Sequence, residues 1–151
     1  MRRAFYAALL LLASVTSALA DVRIEASPGG GIGNFLAFFE LLRESGQRVV
    51  IDGPCYSACT LALTVIPRDR LCVTPRAVLG FHAPMIIDRE EEQVYRDPAV
   101  THAVAEVYPA RIRRWIRRNG GLTEQPIYLR GRELAALYPS FAKYDAEHPV
   151  A

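Results

Sequence analysis

The stretch Arg48-Val49-Val50-Ile51-Asp52-Gly53-Pro54-Cys55-Tyr56-Ser57-Ala58-Cys59-Thr60 carries the chain from a strand into a helix through a turn. Arg48 to Asp52 is a short β-branched run of the kind that is buried on both faces of a parallel sheet. Gly53-Pro54 ends it. Ser57 to Thr60 then leads into Leu61, Ala62, Leu63, Val65 and Ile66, an apolar stretch too uniform for a surface helix.

The same order occurs one unit earlier. Val22-Arg23-Ile24-Glu25-Ala26 alternates apolar and polar residues as a half-buried strand does, and Ser27-Pro28-Gly29-Gly30-Gly31 stops it. From Asn34, Phe35, Phe38, Phe39 and Leu42 fall at i, i+3, i+4 and i+7, and Gly46 closes that helix. Arg70 to Thr74 and Val78 to His82 read as two more strands, separated by Pro75-Arg76-Ala77. Strand, helix, strand, helix, strand predicts an α/β domain built from parallel crossovers.

Downstream, the polar stretch Asp88 to Arg96 reads as a surface excursion. Asp97-Pro98 predicts a helix start, because Asp caps well and the missing N–H of proline is harmless at the first position. Val100, Val104 and Val107 are its expected buried stripe. A further helix runs from Pro109 through Arg118 to a stop at Gly120-Gly121. Its five arginines, 111, 113, 114, 117 and 118, favour a solvated polar face over a membrane or partner surface.

Residues 1–20 read as a secretory signal: Arg2 and Arg3, an apolar run through Leu9 to Leu12, then Ala18-Leu19-Ala20 before a mature start at Asp21. The apolar run is short for a membrane span, so no stable transmembrane segment is expected after cleavage. Removing the segment takes away two arginines and no acid, so the 18 basic and 16 acidic residues become 16 and 16. A neutral mature chain gives no support for nucleic-acid binding. Residues 21–139 suit one domain, with 140–151 as a polar tail.

Export also gives meaning to Cys55, Cys59 and Cys72, since disulfides persist in the periplasm or outside the cell. Three cysteines allow three pairings, and the sequence does not choose among them. C-x₃-C spacing does not suit a thiol oxidoreductase, and the cluster offers too few ligands for a metal. No cofactor motif is present.

Ser57 lies after a predicted strand and before a predicted helix. There a hydroxyl sits at the carboxyl end of the sheet, where open α/β structures bind ligands, and near a helix amino end that favours developing negative charge. Gly29-Gly30-Gly31 occupies the equivalent turn one unit earlier, where bare backbone N–H groups can face an oxyanion. His82 ends the strand from Val78, positioned to accept the serine proton. Each signal alone is commonplace: a serine in a turn is more often a cap, and a lone histidine is more often structural. Their common placement at strand ends is what points to nucleophilic catalysis.

Ser27-Pro28-Gly29-Gly30, Cys55-Tyr56-Ser57-Ala58 and Gly80-Phe81-His82-Ala83-Pro84 follow one another in an order that resembles the active-site motifs of the ClpP-like serine protease family, including its periplasmic relatives. The resemblance covers about Val22 to Met85. It implies a ClpP/crotonase-like fold, Ser57 as nucleophile, His82 as general base, and an oxyanion hole at Gly29, Gly30 and Ala58. The implied reaction is peptide-bond hydrolysis through an acyl-enzyme, on a peptide or protein substrate. Tyr128 to Leu134 resembles the short helix after that family's catalytic acid. The acid itself would fall near Pro126, where no carboxylate stands; Glu124 is the nearest candidate and Asp145 a remote one. The family's preceding strand and helix are also missing, which leaves an edge that a second subunit of a homo-oligomer can fill.

The alternative expectation is a non-catalytic module that keeps the fold and its peptide groove. Acyl-thioester chemistry of the crotonase type fits less well, because it has no need of a Ser-His pair.

Overall fold

The computed structural model describes residues 20–141. β1 (Val22–Ile24), β2 (Val49–Ile51) and β4 (Leu71–Val73) form one parallel sheet in the order β1-β2-β4. β3 (Pro54–Tyr56) pairs in parallel with β5 (Val78–Phe81), and β8 (Ile127–Arg130) lies antiparallel on the other side of β5. The two sheets are successive halves of the same chain runs. After β2 the chain kinks at Asp52-Gly53 into β3, and after β4 it kinks at residues 74–77 into β5. Gly53 permits the kink, because a Cβ there would lie 1.9 Å from the Glu25 carbonyl oxygen.

α1 (Ile32–Ser45) crosses from β1 to β2 and buries Phe39 and Leu42. A 3₁₀ helix (Ser57–Leu61) running into α2 (Ala62–Val65) crosses from β3 to β4 and is almost wholly buried. Tight 3₁₀ winding replaces the α-helical start expected at Ser57. α4 (Ala110–Arg118) closes the far side with Ile112, Trp115 and Ile116, the tryptophan packing on Phe81 at 5.8 Å. The mixed α/β class is therefore as expected, with parallel crossovers at its centre.

Four local expectations need correction. Residues 54–56 form a strand because Ser27 pairs with Cys55, its N–H donating to Pro54 O at 2.8 Å. The polar excursion is a hairpin of β6 (Ile86–Asp88) and β7 (Gln93–Tyr95), whose ladder needs no buried face. Tyr128 to Arg130 belongs to β8, held by the β5 ladder and by Tyr128 packing on Tyr56 at 5.7 Å, so α5 (Gly131–Leu137) starts only afterwards. α3 (Pro98–Val107) buries no residue fully: Val104 packs against the core, whereas Val100 and Val107 are exposed. Its cap is as expected, with the Asp97 carboxylate accepting from Ala99 N at 2.6 Å and Val100 N at 3.0 Å.

At the tail, Ser140 bridges to Val73, and the Phe141 ring lies under the Arg23 guanidinium at 4.8 Å, so these two residues belong to the domain. The proposed signal and Asp145 lie outside the described residues.

Asp52, 5% exposed at the end of β2, accepts from Arg76 at 2.5 and 3.1 Å, Thr74 Oγ1 at 2.6 Å and Arg23 at 2.9 Å. These bonds, Arg76 first, hold its carboxyl far below the ordinary carboxylate range. A depressed folded-state pKa stabilises the fold at pH above the unfolded value of about 3.9, and that contribution is lost as the pH falls through the folded value. Asp52→Asn is expected to lower the thermal midpoint at about pH 7 and to lose less on acidification to about pH 3 than the wild type does. Thermal melts at both pH values check this.

Candidate active site

β3 delivers the chain to Ser57 with φ +53°, a left-handed conformation in a residue that has a side chain. Such a conformation costs about 1–3 kcal/mol and persists only where its surroundings enforce it. Here the enforcement is covalent and polar. A Cys55–Cys59 disulfide spans the turn with a Cα–Cα distance of 5.3 Å. Thr60 Oγ1 donates to the Ser57 carbonyl at 2.7 Å. A carbonyl only accepts, so the single Thr60 proton is committed there. The Tyr108 hydroxyl, 2.7 Å from Thr60 Oγ1, is therefore the donor in that contact. Thr60 and Tyr108 are both buried, and burial pushes the Tyr108 phenol up to about 12, the Thr60 contact opposing it. The phenol thus stays protonated and able to donate throughout the neutral range.

Gly29 closes the turn from the other side. At φ +90°, its α-carbon sits so close that a Cβ would lie 2.6 Å from both Ser57 Cβ and the Tyr56 carbonyl oxygen. Glycine is required there on both counts. Gly30 follows, and among the described residues its N–H has no hydrogen-bond partner. Ala58 is the second residue of the 3₁₀ helix, where N–H groups lack an intrahelical acceptor.

His82 follows β5, placed by the β3-β5-β8 ladders. Its Nδ1 lies 2.7 Å from the Ala83 carbonyl oxygen, and the Ala83 N–H is anchored to Thr123 O at 2.8 Å. Because a carbonyl can only accept, that contact puts a proton on Nδ1, so the tautomer it favours in a neutral ring has its lone pair on Nε2. Among the described residues, the side-chain hydrogen bond of His82 is the one to this backbone carbonyl, and no carboxylate is bonded to its ring.

Ser57, His82, Gly29, Gly30 and Ala58 line one cavity of about 550 Å³. Its remaining wall is largely apolar, including Leu61, Phe81, Met85, Val104 and Tyr108. Among the described residues no hydrogen bond joins Ser57 to His82. Glu124 is not brought to this site. Its carboxylate pairs with Arg96, and Glu124 lines a separate cleft of about 540 Å³ together with Ala83 and Arg96. Arg96 thereby removes the nearest candidate acid from the imidazole.

The disulfide resolves the three open pairings in favour of Cys55–Cys59, while Cys72 is buried on β4 as a thiol. Serine at both positions 55 and 59 is expected to destabilise the fold by about 2 kcal/mol, the loop-entropy contribution of so short a ring. Denaturant melts measure it. Among the described residues, no group of three His, Cys, Asp or Glu is placed to hold a metal, and no helix is long and apolar enough to cross a membrane.

Sequence reasoning missed Thr60 and Tyr108. They stand 48 residues apart, and nothing local marks either as part of the turn. No protein-family model matches the chain, and no curated protein matches it.

Proposed function

We propose that this chain is an exported serine hydrolase of the ClpP-like type that cleaves peptide bonds through an acyl-enzyme. The observation that carries the reading is the left-handed Ser57 turn, held by a disulfide and a buried Thr-Tyr relay, opening on the cavity that also holds His82. A strained, over-constrained serine at a strand-to-helix turn is a recurring arrangement for nucleophiles. Export is supported by the signal-like residues 1–20 and by a disulfide of a kind that persists in oxidising compartments such as the periplasm.

In the proposed reaction Ser57 Oγ attacks the substrate carbonyl carbon as its proton passes to His82 Nε2. The new oxyanion faces the N–H groups of Gly30 and Ala58, with Gly29 giving the backbone its close approach. Collapse breaks the C–N bond, and the proton moves from His82 to the leaving amine. Water then attacks the ester, giving its proton to Nε2, and Ser57 departs with that proton restored.

The Ala83 carbonyl selects the productive tautomer without supplying a full negative charge to the imidazolium. Turnover is therefore slower than in a complete triad, where loss of the acid costs on the order of 10⁴. A second reading, a peptide-binding module, is favoured by one observation: Ser57 and His82 are not hydrogen-bonded to each other. Catalytic contacts often tighten only with substrate bound. Mature protein incubated with a fluorogenic peptide library distinguishes the readings. Slow cleavage abolished by Ser57→Ala supports the hydrolase; binding without cleavage by both proteins supports the module.

A further inference from the structure

α4 carries five arginines and no acid. Two are engaged: Arg111 donates to Leu137 O, and Arg113 donates to the Glu106 and Tyr108 carbonyls and is ion-paired with the Glu106 carboxylate. Arg114, Arg117 and Arg118 are exposed and have no partner among the described residues. They share one face, at i, i+3 and i+4. The opposite face is locked into the core by Ile112, Trp115 and Ile116, so the helix has no apolar stripe left to insert into a bilayer.

An excess of the opposite charge stands at the tip of the β6-β7 hairpin, where Glu90, Glu91 and Glu92 outnumber the exposed Arg89. Asp88 Oδ1 closes that turn by accepting from Glu90 N at 2.9 Å and Glu91 N at 3.1 Å. Glu90, Glu91 and Glu92 then stand exposed without a cationic partner among the described residues. Below the tip Met85, Ile87, Val94 and Tyr95 are between 46% and 67% exposed, so the arm is apolar as well as acidic. Among the described residues its two strands pair only with each other.

We infer that the β6-β7 hairpin of one copy docks on α4 of a second copy, with Glu90, Glu91 and Glu92 facing Arg114, Arg117 and Arg118. Three unpartnered carboxylates and three unpartnered guanidiniums on an otherwise charge-balanced chain complement each other between copies. An anionic membrane or polymer would use the arginines, but would be repelled by the acidic hairpin tip. A second copy accounts for both surfaces. Each copy offers one arm and one helix, so the contact either closes as a two-fold pair or continues head to tail. This inference is independent of whether Ser57 reacts.

Sedimentation velocity of the mature protein tests it. Self-association is expected that weakens between about 0.05 and 0.5 M salt, as exposed charge pairs are screened. Reversing the tip (Glu90→Arg, Glu91→Arg, Glu92→Arg) or the helix (Arg114→Glu, Arg117→Glu, Arg118→Glu) is expected to raise the dissociation constant about a hundredfold or more. Mixing the two reversed proteins restores association, since each then offers the complement of the other. All six residues are exposed, so near-ultraviolet circular dichroism should confirm an unchanged fold. A wild type that stays monomeric at low salt would overturn the inference, as would association indifferent to both reversals. So would salt-sensitive binding to phosphatidylglycerol vesicles that is lost with helix reversal while self-association is untouched, which would assign the arginines to an anionic surface.

Discussion

His82→Ala is expected to slow fluorophosphonate labelling of Ser57 by about 10⁴ or more, while Glu124→Ala leaves the rate within about twofold of wild type. The first effect follows from removal of the only imidazole that lines the Ser57 cavity among the described residues. The second follows from the Arg96 pairing, which holds the Glu124 carboxylate in a different cleft. Stopped-flow or gel-based labelling of the purified mature variants compares the rates. Equal slowing in both variants would mean that Glu124 leaves Arg96 and orients the histidine during reaction, and the carbonyl account of His82 would fail.

Gly29→Ala is expected to produce the next largest loss, about a hundredfold in labelling together with about 2–4 kcal/mol of stability. Its new methyl carbon would overlap Ser57 Cβ and the Tyr56 carbonyl at 2.6 Å, in a backbone conformation that alanine rarely adopts. Two groups would have to move, and one of them carries the nucleophile. Gly33→Ala is the contrasting change. It lies inside α1 with no atom within 4 Å of a built Cβ, so it is expected to keep full labelling and gain up to about 1 kcal/mol. Denaturant melts and labelling rates on the two variants separate the steric effect from glycine removal in general.

The elements that were legible in the sequence are those that bury a periodic face. Val49–Ile51, Leu71–Val73 and Val78–Phe81 are short apolar runs between turn residues, and α4 buries Ile112, Trp115 and Ile116 at helical spacing, whereas of the stripe expected on α1 Phe39 and Leu42 are buried, Phe35 is partly buried and Phe38 is exposed. β6, β7 and β8 were illegible for the converse reason. Their ladders are satisfied by neighbouring backbone while most of their side chains face outward. β3 is hidden by Pro54 at its start and by a length of three residues.

The site divides along similar lines. Ser57, His82 and the glycine turn could be placed because strand ends can be placed. The Thr60-Tyr108 relay could not, since its members stand 48 residues apart and Tyr108 comes from the junction between α3 and α4. The group beside His82 Nδ1 was invisible in principle: any residue at position 83 supplies a carbonyl, and its identity carries no signal.

Peptide mapping of mature protein treated with excess fluorophosphonate tests the central claim most directly. A single adduct on Ser57, absent after His82→Ala, is the result that a strained serine served by a carbonyl-oriented histidine requires. Folded protein, with the Cys55–Cys59 disulfide verified, that leaves Ser57 wholly unmodified would contradict it.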